Sequence, residues 1–462
     1  MPSISSDTRP ISIPDLRATI SGRVITPDDE GYDQARSVFV GGIDRRPVVI
    51  VQVANVSDVQ HVVRLAAETG LPLSVRSGGH SNGGLGVVDD GIVLDLRDLR
   101  ALDIDLNART AWVEPGLTAG EYTKAVTEHE LVTGFGDTGS VGIGGLTLGG
   151  GVGYLVRKHG LTIDDLIAAD VVTADGQLVR ADATTNPDLF WAIRGGGGNF
   201  GVATRFQFRL HQLPAFTGGM LVLPATPDTI AGFIRASQAG PEELSTICNV
   251  MPCPPMPFVP AEHHGSLVIM GMLAFAGPVE AGESAMAPFR ALAQPLADMV
   301  KPQPYTGMYP PEVGGYHPVA TVHTCFIESV DGGVASTILD HLKASTAMMR
   351  AVQLRVLGGA MARVPADATA FAHRDRRIMV NVAALYQDPA EETRHATWAS
   401  GLAEALSHGD EAGYVNFLGI EGPARVRAAY PGATWERLVA IKRRYDPDNL
   451  FRHNQNIEPG PA

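Results

Sequence analysis

Glycine constrains this chain more than any other residue. It occurs 52 times in 462 residues, and three dense clusters fall within the first 201. The first is Val75-Arg-Ser-Gly-Gly-His-Ser-Asn-Gly-Gly84, which sets His80 on a turn almost bare of side chains. The second runs from Gly134 to Gly153, and the third is Arg194-Gly-Gly-Gly-Gly-Asn-Phe-Gly201. Glycine loses more backbone freedom on folding than any other residue, so such clusters are costly unless backbone must come close to something. Successive backbone N–H groups in these turns form concavities suited to an anion such as a pyrophosphate. One extended ligand threaded between backbone walls accounts for all three clusters. The familiar nucleotide loops do not. Gly142-Ile-Gly-Gly-Leu-Thr-Leu-Gly149 has the wrong spacing for a dinucleotide fingerprint, and no Gly-Lys-Ser/Thr follows a glycine pair.

The periodicity around the clusters indicates mixed helix and strand. Pro47–Val53 is a β-branched run that reads as a buried strand, and Ser57 N-caps a helix with an apolar stripe. Leu73–Arg76 is the next strand and ends in the first glycine turn, the end of a β-α-β unit where α/β ligand sites lie. Gly91–Leu96 and Thr110–Pro115 read as short strands, Leu117–Val126 as a helix, and Val202–Leu210 as an alternating strand. The texture changes near 211–216. Residues 217–410 hold few glycine runs but many Ala-rich helical segments and strands such as 266–275, which indicates a second domain. From Tyr414 an Asn-rich terminus is expected to return to the first.

Composition narrows the function classes. Hydrophobic residues make up 45% and charged residues 19%, a globular balance. A net charge of −14 argues against a nucleic-acid partner, and no Lys/Arg run suggests an anionic membrane surface. Cys248, Cys253 and Cys325 form no CxxC pair, which fits a reducing compartment. Met1–Pro10 lacks the apolar core of a signal peptide and no run is long enough to span a bilayer, so the expected location is cytoplasmic. His263 and His264 are adjacent, and His317, His323, His373 and His453 lack ligand spacing, so no metal is expected. No G-x-S-x-G elbow supports a serine hydrolase.

Four segments in order carry a family likeness. The chain resembles the covalent-flavin oxidases of the vanillyl-alcohol-oxidase superfamily, in particular the berberine-bridge-enzyme-like branch and its bacterial 6-hydroxynicotine-oxidase-type members. Val75–Ser81 resembles the flavin pyrophosphate loop, which assigns Arg76, Ser77, Gly78, Gly79, His80 and Ser81 to the cofactor. Val141–Tyr154 resembles the second flavin segment; with Thr138 it contributes Val141, Gly142, Gly144, Gly145, Gly149, Gly150, Gly153 and Tyr154. Asn186–Val202 resembles the third, with Asn199, Gly201 and Val202. Tyr445–Ile457 resembles the C-terminal signature, with Asn454 and Asn456. The implied fold class is α+β: a PCMH-type FAD-binding domain of two α/β subdomains plus a substrate domain whose antiparallel sheet is covered by helices. The implied boundaries are 1–212 for the FAD-binding domain (core about 43–212), 213–413 for the substrate domain and 414–462 for the returning segment.

The resemblance implies FAD joined to His80 by an 8α-histidyl bond, since a neutral imidazole can attack the quinone-methide form of a flavin. Some relatives carry a second link from a cysteine at the place of Thr138; threonine has no thiol, so a single link is expected. Val141 matches the oxygen-permissive pattern of the plant branch. The implied chemistry is hydride transfer from a small, secondary-metabolite-like alcohol or amine to flavin N5, then to O2 to give H2O2. Small-molecule substrate and O2 are thus the expected partners. A carbohydrate oxidase, an oxygen-unreactive dehydrogenase and a non-catalytic flavin-binding protein are the alternatives. Catalytic candidates are Asn416, Tyr414, Tyr316 and Gln455, with Tyr305, Tyr386 and His373 beside them. Asn416 sits where relatives often have an Asn-Tyr pair, but here Phe417 removes the phenol. Gly358–Arg374 also resembles a family segment and reads as strand and turn; Arg363 and His373 within it receive no role.

Overall fold

The computed structural model describes residues 11–309, 315 and 317–460. Its first sheet has four strands in the order Arg23–Ile25, Val49–Gln52, Ile92–Asp95, Leu73–Arg76. The last three run parallel. Parallel strands are covered on both faces, which is why Val49, Ile50 and Val51 are all β-branched and fully buried. The helix Val56–Thr69 lays Val59, Val62, Val63 and Ala66 onto Val49, Val51 and Leu94. Its cap is Asn55, not Ser57. Asn55 is extended and its side chain accepts from the Asp58 N–H, whereas Ser57 already lies within the first turn.

A second sheet is antiparallel, in the order Leu102–Asp105, Thr110–Val113, Val202–Arg209, Leu166–Val172, Leu178–Asp182. Chain reversals after the third glycine cluster place Val202 beside Val172. The third sheet has eight strands, all paired antiparallel, built on Thr217–Pro224, Leu267–Phe275, Leu244–Pro252, Met349–Val356, Ile378–Tyr386 and Val319–Ile327. Helices Pro227–Ala239, Val279–Arg290, Gly332–Ala344 and Glu392–Ser407 cover one face of it, where Val352, Leu354, Val380 and Val382 are buried with Phe233, Ile338 and Leu402. Side chains alternate along a strand, so Gln353, Arg355 and Asn381 fall on the uncovered face. This α+β architecture, with an antiparallel sheet under helices, is the one the sequence implied.

The chain then turns back. Val415, Leu418, Tyr430, Leu438, Ile441 and Ile457 share one core with Phe135, Leu189, Phe200, Phe206 and Phe208. Residues 358–374 form no strand. Gly358 and Gly359 have φ of 103° and 61°, Ala360–Arg363 is a single helical turn, and the rest is loop. That loop is fastened by both terminal nitrogens of Arg374 to Asp164, each at 2.7 Å, and by Trp191 Nε1 to the Asp367 carbonyl at 2.7 Å. Cys248, Cys253 and Cys325 are buried and unpaired. Among the described residues, no helix is long and apolar enough to cross a membrane.

Candidate functional site

A cavity of about 430 Å³ opens between the glycine clusters and the uncovered face of the eight-stranded sheet. All three clusters line it, with Val322 and Asn381 from the sheet, residues 414–418, and residues 451 and 453–455. The first two clusters meet backbone to backbone. A Cβ on Gly78 would stand 2.3 Å from the Gly142 nitrogen, and one on Gly142 would stand 2.3 Å from the Gly78 nitrogen. Ser77 Oγ ties the same turn down by donating to the Pro115 carbonyl at 2.6 Å. Arg76 lines the cavity with its backbone turn, but its guanidinium is committed. It pairs with buried Asp95 at 2.7 Å and donates to the Ala35 carbonyl at 2.5 Å.

His80 faces this space. Its ring stacks on Phe39, with centroids 4.1 Å apart and planes inclined by 18°. Burial pushes its pKa down to about 4, against a smaller opposing pull from the Ser140 backbone. The imidazole is therefore neutral at neutral pH and keeps a nucleophilic lone pair.

The other walls differ glycine by glycine. Cβ atoms on Gly145 and Gly198 would meet nothing within 4 Å, and both residues line the cavity, so these are bare backbone facing open space. Ser81, Thr138, Val141, Gly142, Gly144, Asn199, Gly201, Val202 and Asn454 line it too. Gly149, Gly150, Gly153, Tyr154 and Asn456 stand off the lining. A Cβ on Gly149 would strike Asn416 Oδ1 at 2.0 Å, and one on Gly153 would strike the Phe135 carbonyl oxygen at 1.8 Å. Gly150 has φ of 135° and abuts Phe371 and Tyr414. These three make room for neighbouring chain. Tyr154 is packed with Phe216 and Tyr305.

The third cluster is stitched to the C-terminal segment. Asn199 Nδ2 donates to the carbonyls of Gly196 (2.9 Å) and Gln455 (3.1 Å), and its Oδ1 accepts the Ile457 N–H at 2.9 Å. Buried Lys442 donates to the Asn199 carbonyl, the Phe451 carbonyl and Asp446, at 2.9, 2.9 and 2.6 Å. Asn454 Nδ2 reaches the Gly198 carbonyl at 3.1 Å, while its buried Oδ1 has no partner in the protein.

Of the catalytic candidates, Tyr414, Asn416 and Gln455 line the cavity. The Tyr414 hydroxyl accepts from the Gly151 N–H at 2.8 Å and from Asn416 Nδ2 at 2.9 Å, and burial pushes its pKa up. Asn416 Nδ2 also donates to the Leu146 carbonyl at 3.0 Å. Gln455 Nε2 is taken by the carbonyls of Leu418 and Gly419, at 3.1 and 2.9 Å. Tyr305 and Tyr386 lie off the lining, one packed edge-on against Phe216, the other 3.1 Å from the Thr321 hydroxyl. His373 is buried elsewhere, donating Nε2–H to the Ala429 carbonyl at 2.9 Å. Arg363 pairs with Glu242. Tyr316 lies outside the described residues.

Several lining residues belong to no expectation: Phe39, Asp137, Val322, Asn381 and His453. His453 carried a signal by its place in the C-terminal signature, and Asp137 carried one as an acid inside the second glycine cluster. Its Oδ2 meets Arg355 at 2.5 Å, and Arg355 in turn donates to Gln353 Oε1 at 2.9 and 2.7 Å. Phe417 covers the Arg355 guanidinium, 5.1 Å from its ring centre.

The chain is similar to known proteins along most of its length. A model of an FAD binding domain matches residues 47–182, and one described as berberine and berberine like matches residues 413–458. The uncharacterized FAD-linked oxidoreductase YgaK of Bacillus subtilis is 30% identical, over 96% of this chain and 98% of that protein. The (R)-6-hydroxynicotine oxidase of Paenarthrobacter nicotinovorans is 30% identical, over 96% of this chain and 97% of its own. The crystal structure of 6-hydroxy-D-nicotine oxidase from Arthrobacter nicotinovorans superposes with a TM-score of 0.83 at 28% identity, covering 96% of this chain and 98% of that one.

Proposed function

The chain belongs to the berberine-like FAD-linked oxidoreductases, and we propose that it is an oxidase of a small alcohol or amine that holds FAD through one covalent bond at His80. The observation that carries this reading is the neutral His80, set on a bare turn at one wall of a cavity whose other walls are largely glycine backbone. The open space at Gly145 and Gly198 and the unpartnered Asn454 Oδ1 fit a large planar dinucleotide. Ser77–Ser81, Gly142–Gly145, Gly197–Gly198 and Asn454 would hold it, and the 8α-histidyl bond would run from His80. Thr138 lines the same space without a thiol, which supports a single link.

FAD, when bound, supplies two-electron oxidation with O2 as the final acceptor and H2O2 as product. The protein's own share is orientation and exclusion of water. We assign cofactor binding to 1–212 (core about 43–212), substrate contact to the sheet face of 213–413, and closure to 414–462. Tyr414 and Asn416 act as positioning residues: the phenol oxygen is filled by two N–H donors, so it fixes the cavity wall and takes no substrate proton. Val141 lines the cavity, in keeping with access for O2. The relative named (R)-6-hydroxynicotine oxidase supports a small nitrogenous substrate over a sugar.

The test is a panel of alcohols, amines and sugars scored by peroxide release, with photoreduced protein mixed with air beside it. Peroxide from alcohols or amines and reoxidation within seconds are expected. Peroxide from sugars alone would replace this reading with a carbohydrate oxidase, and a reduced form lasting minutes in air would replace it with a dehydrogenase.

A further inference from the structure

We propose that Asp137, set in place by Arg355, is the residue that orients the substrate by accepting its O–H or N–H, so that the cavity selects donor-bearing neutral or cationic molecules over anions. The inference rests on the flavin-oxidase reading above. Among the described residues lining the cavity, Asp137 is the one carboxylate. Several of the other polar groups there are committed. The Tyr414 oxygen takes two N–H donors, His453 Nε2 donates to the Val87 carbonyl at 2.9 Å, and Arg76 is paired with Asp95. His80 is reserved for the cofactor.

Asp137 itself is half committed. Oδ2 is held by Arg355 at 2.5 Å, while Oδ1 has only the Thr138 hydroxyl at 3.4 Å, too long for a strong bond. Arg355 is absent from the lining. Its Nε and one terminal nitrogen point at Gln353 and Asp137, Gln353 is fixed by Nε2 to Asn249 Oδ1 at 2.9 Å, and the Phe417 ring covers the guanidinium. A ligand therefore meets a carboxylate oxygen, with the cation behind it. Asn381 adds a second acceptor. It lines the cavity from the strand Ile378–Tyr386, directly across from Gln353, and its buried Oδ1 has no partner in the protein. An O–H or N–H donor satisfies these oxygens; a carboxylate ligand would leave them unpaired and add like charge. The Asp137–Arg355 contact spans 218 residues and ties the second glycine cluster to the sheet face, so it fixes this acceptor relative to the cofactor walls.

The experiment titrates flavin-loaded protein with benzylamine, benzyl alcohol and benzoate, read from the flavin absorbance. Wild type is expected to bind benzylamine about tenfold more tightly than benzoate, or better, as a charge-assisted hydrogen bond implies. Asp137→Asn should erase most of that ratio, and Asp137→Glu should keep part of it. Benzoate binding as well as benzylamine, an unchanged ratio in Asp137→Asn, or no response to any of the three in a yellow protein would overturn the proposal. The wild-type ranking decides even if a variant fails to fold. A colourless purified protein would sink the flavin reading instead, which keeps the two failures apart.

Discussion

Lys442→Met is the most informative single perturbation of the fold around the site. Lys442 and Asp446 are both fully buried, 2.6 Å apart, four residues apart on and just beyond the helix Ala433–Tyr445. Methionine keeps the length of the side chain and removes the ammonium. Asp446 then loses its cation but retains the N–H groups of Leu450 and Phe451 at 2.7 and 2.9 Å. The Asn199 and Phe451 carbonyls each lose a donor. Stranding one member of a buried pair costs about 3–5 kcal/mol. The two retained backbone donors put this case near the lower end; the Phe451 carbonyl keeps Asn454 Nδ2 at 3.0 Å, so only the orphaned Asn199 carbonyl adds about 1 kcal/mol. The expected total is about 4 kcal/mol. Taken at about 2 °C per kcal/mol, the lower end for large domains, that is roughly 8 °C in the unfolding midpoint. Adding Asp446→Asn removes the stranded charge and should recover about 2 kcal/mol. Circular dichroism during heating, with flavin fluorescence in parallel, measures both. A drop under about 2 °C, or a double variant no better than the single, would refute the claim that this pair staples the third glycine cluster to the C-terminal segment.

Two further outcomes follow from the same geometry. Gly142→Ala places a methyl 2.3 Å from backbone and should abolish folding or flavin loading, whereas Gly145→Ala meets nothing within 4 Å and should fold with wild-type stability yet load less flavin; equal loading by Gly145→Ala and wild type would contradict the cofactor wall. His373 and His159 are held neutral by burial, at about 4 and about 3, below an unfolded value of about 6.5. Their depressed folded values mean stability that is whole above about pH 6.5 and is lost as pH falls toward 4. The unfolding midpoint should decline over that window, less steeply in His373→Gln; parallel slopes would contradict it.

The glycine clusters and the four family segments were legible because backbone approach demands glycine wherever it occurs. What glycine approaches was not legible. Gly145 faces open space, while Gly149, four residues on, makes room for Asn416 and Gly153 for the Phe135 carbonyl. Both uses leave the same letter in the sequence. Ser57 looked like a helix cap because it precedes an apolar stripe, but the extended backbone that defines a cap lies at Asn55. In the second domain the strand near 266–275 stands out as a nearly unbroken apolar run, whereas Val319–Ile327 interleaves Thr321, His323 and Thr324 with its apolar residues. Asp137 and Asn381 acquire meaning only through a sheet face assembled more than 200 residues away from the glycine cluster. Asn199, assigned to the cofactor, spends its side chain on Gly196, Gln455 and Ile457, contacts that no local pattern announces.

The central claim is that His80 alone carries the flavin. Acid precipitation of purified wild type, followed by intact-mass measurement, tests it most directly. A yellow pellet whose chain is heavier by one FAD, with the colour passing to the supernatant in His80→Ala, is the predicted result. A colourless wild-type pellet with the mass of the bare polypeptide, or a pellet that stays yellow in His80→Ala, would contradict it.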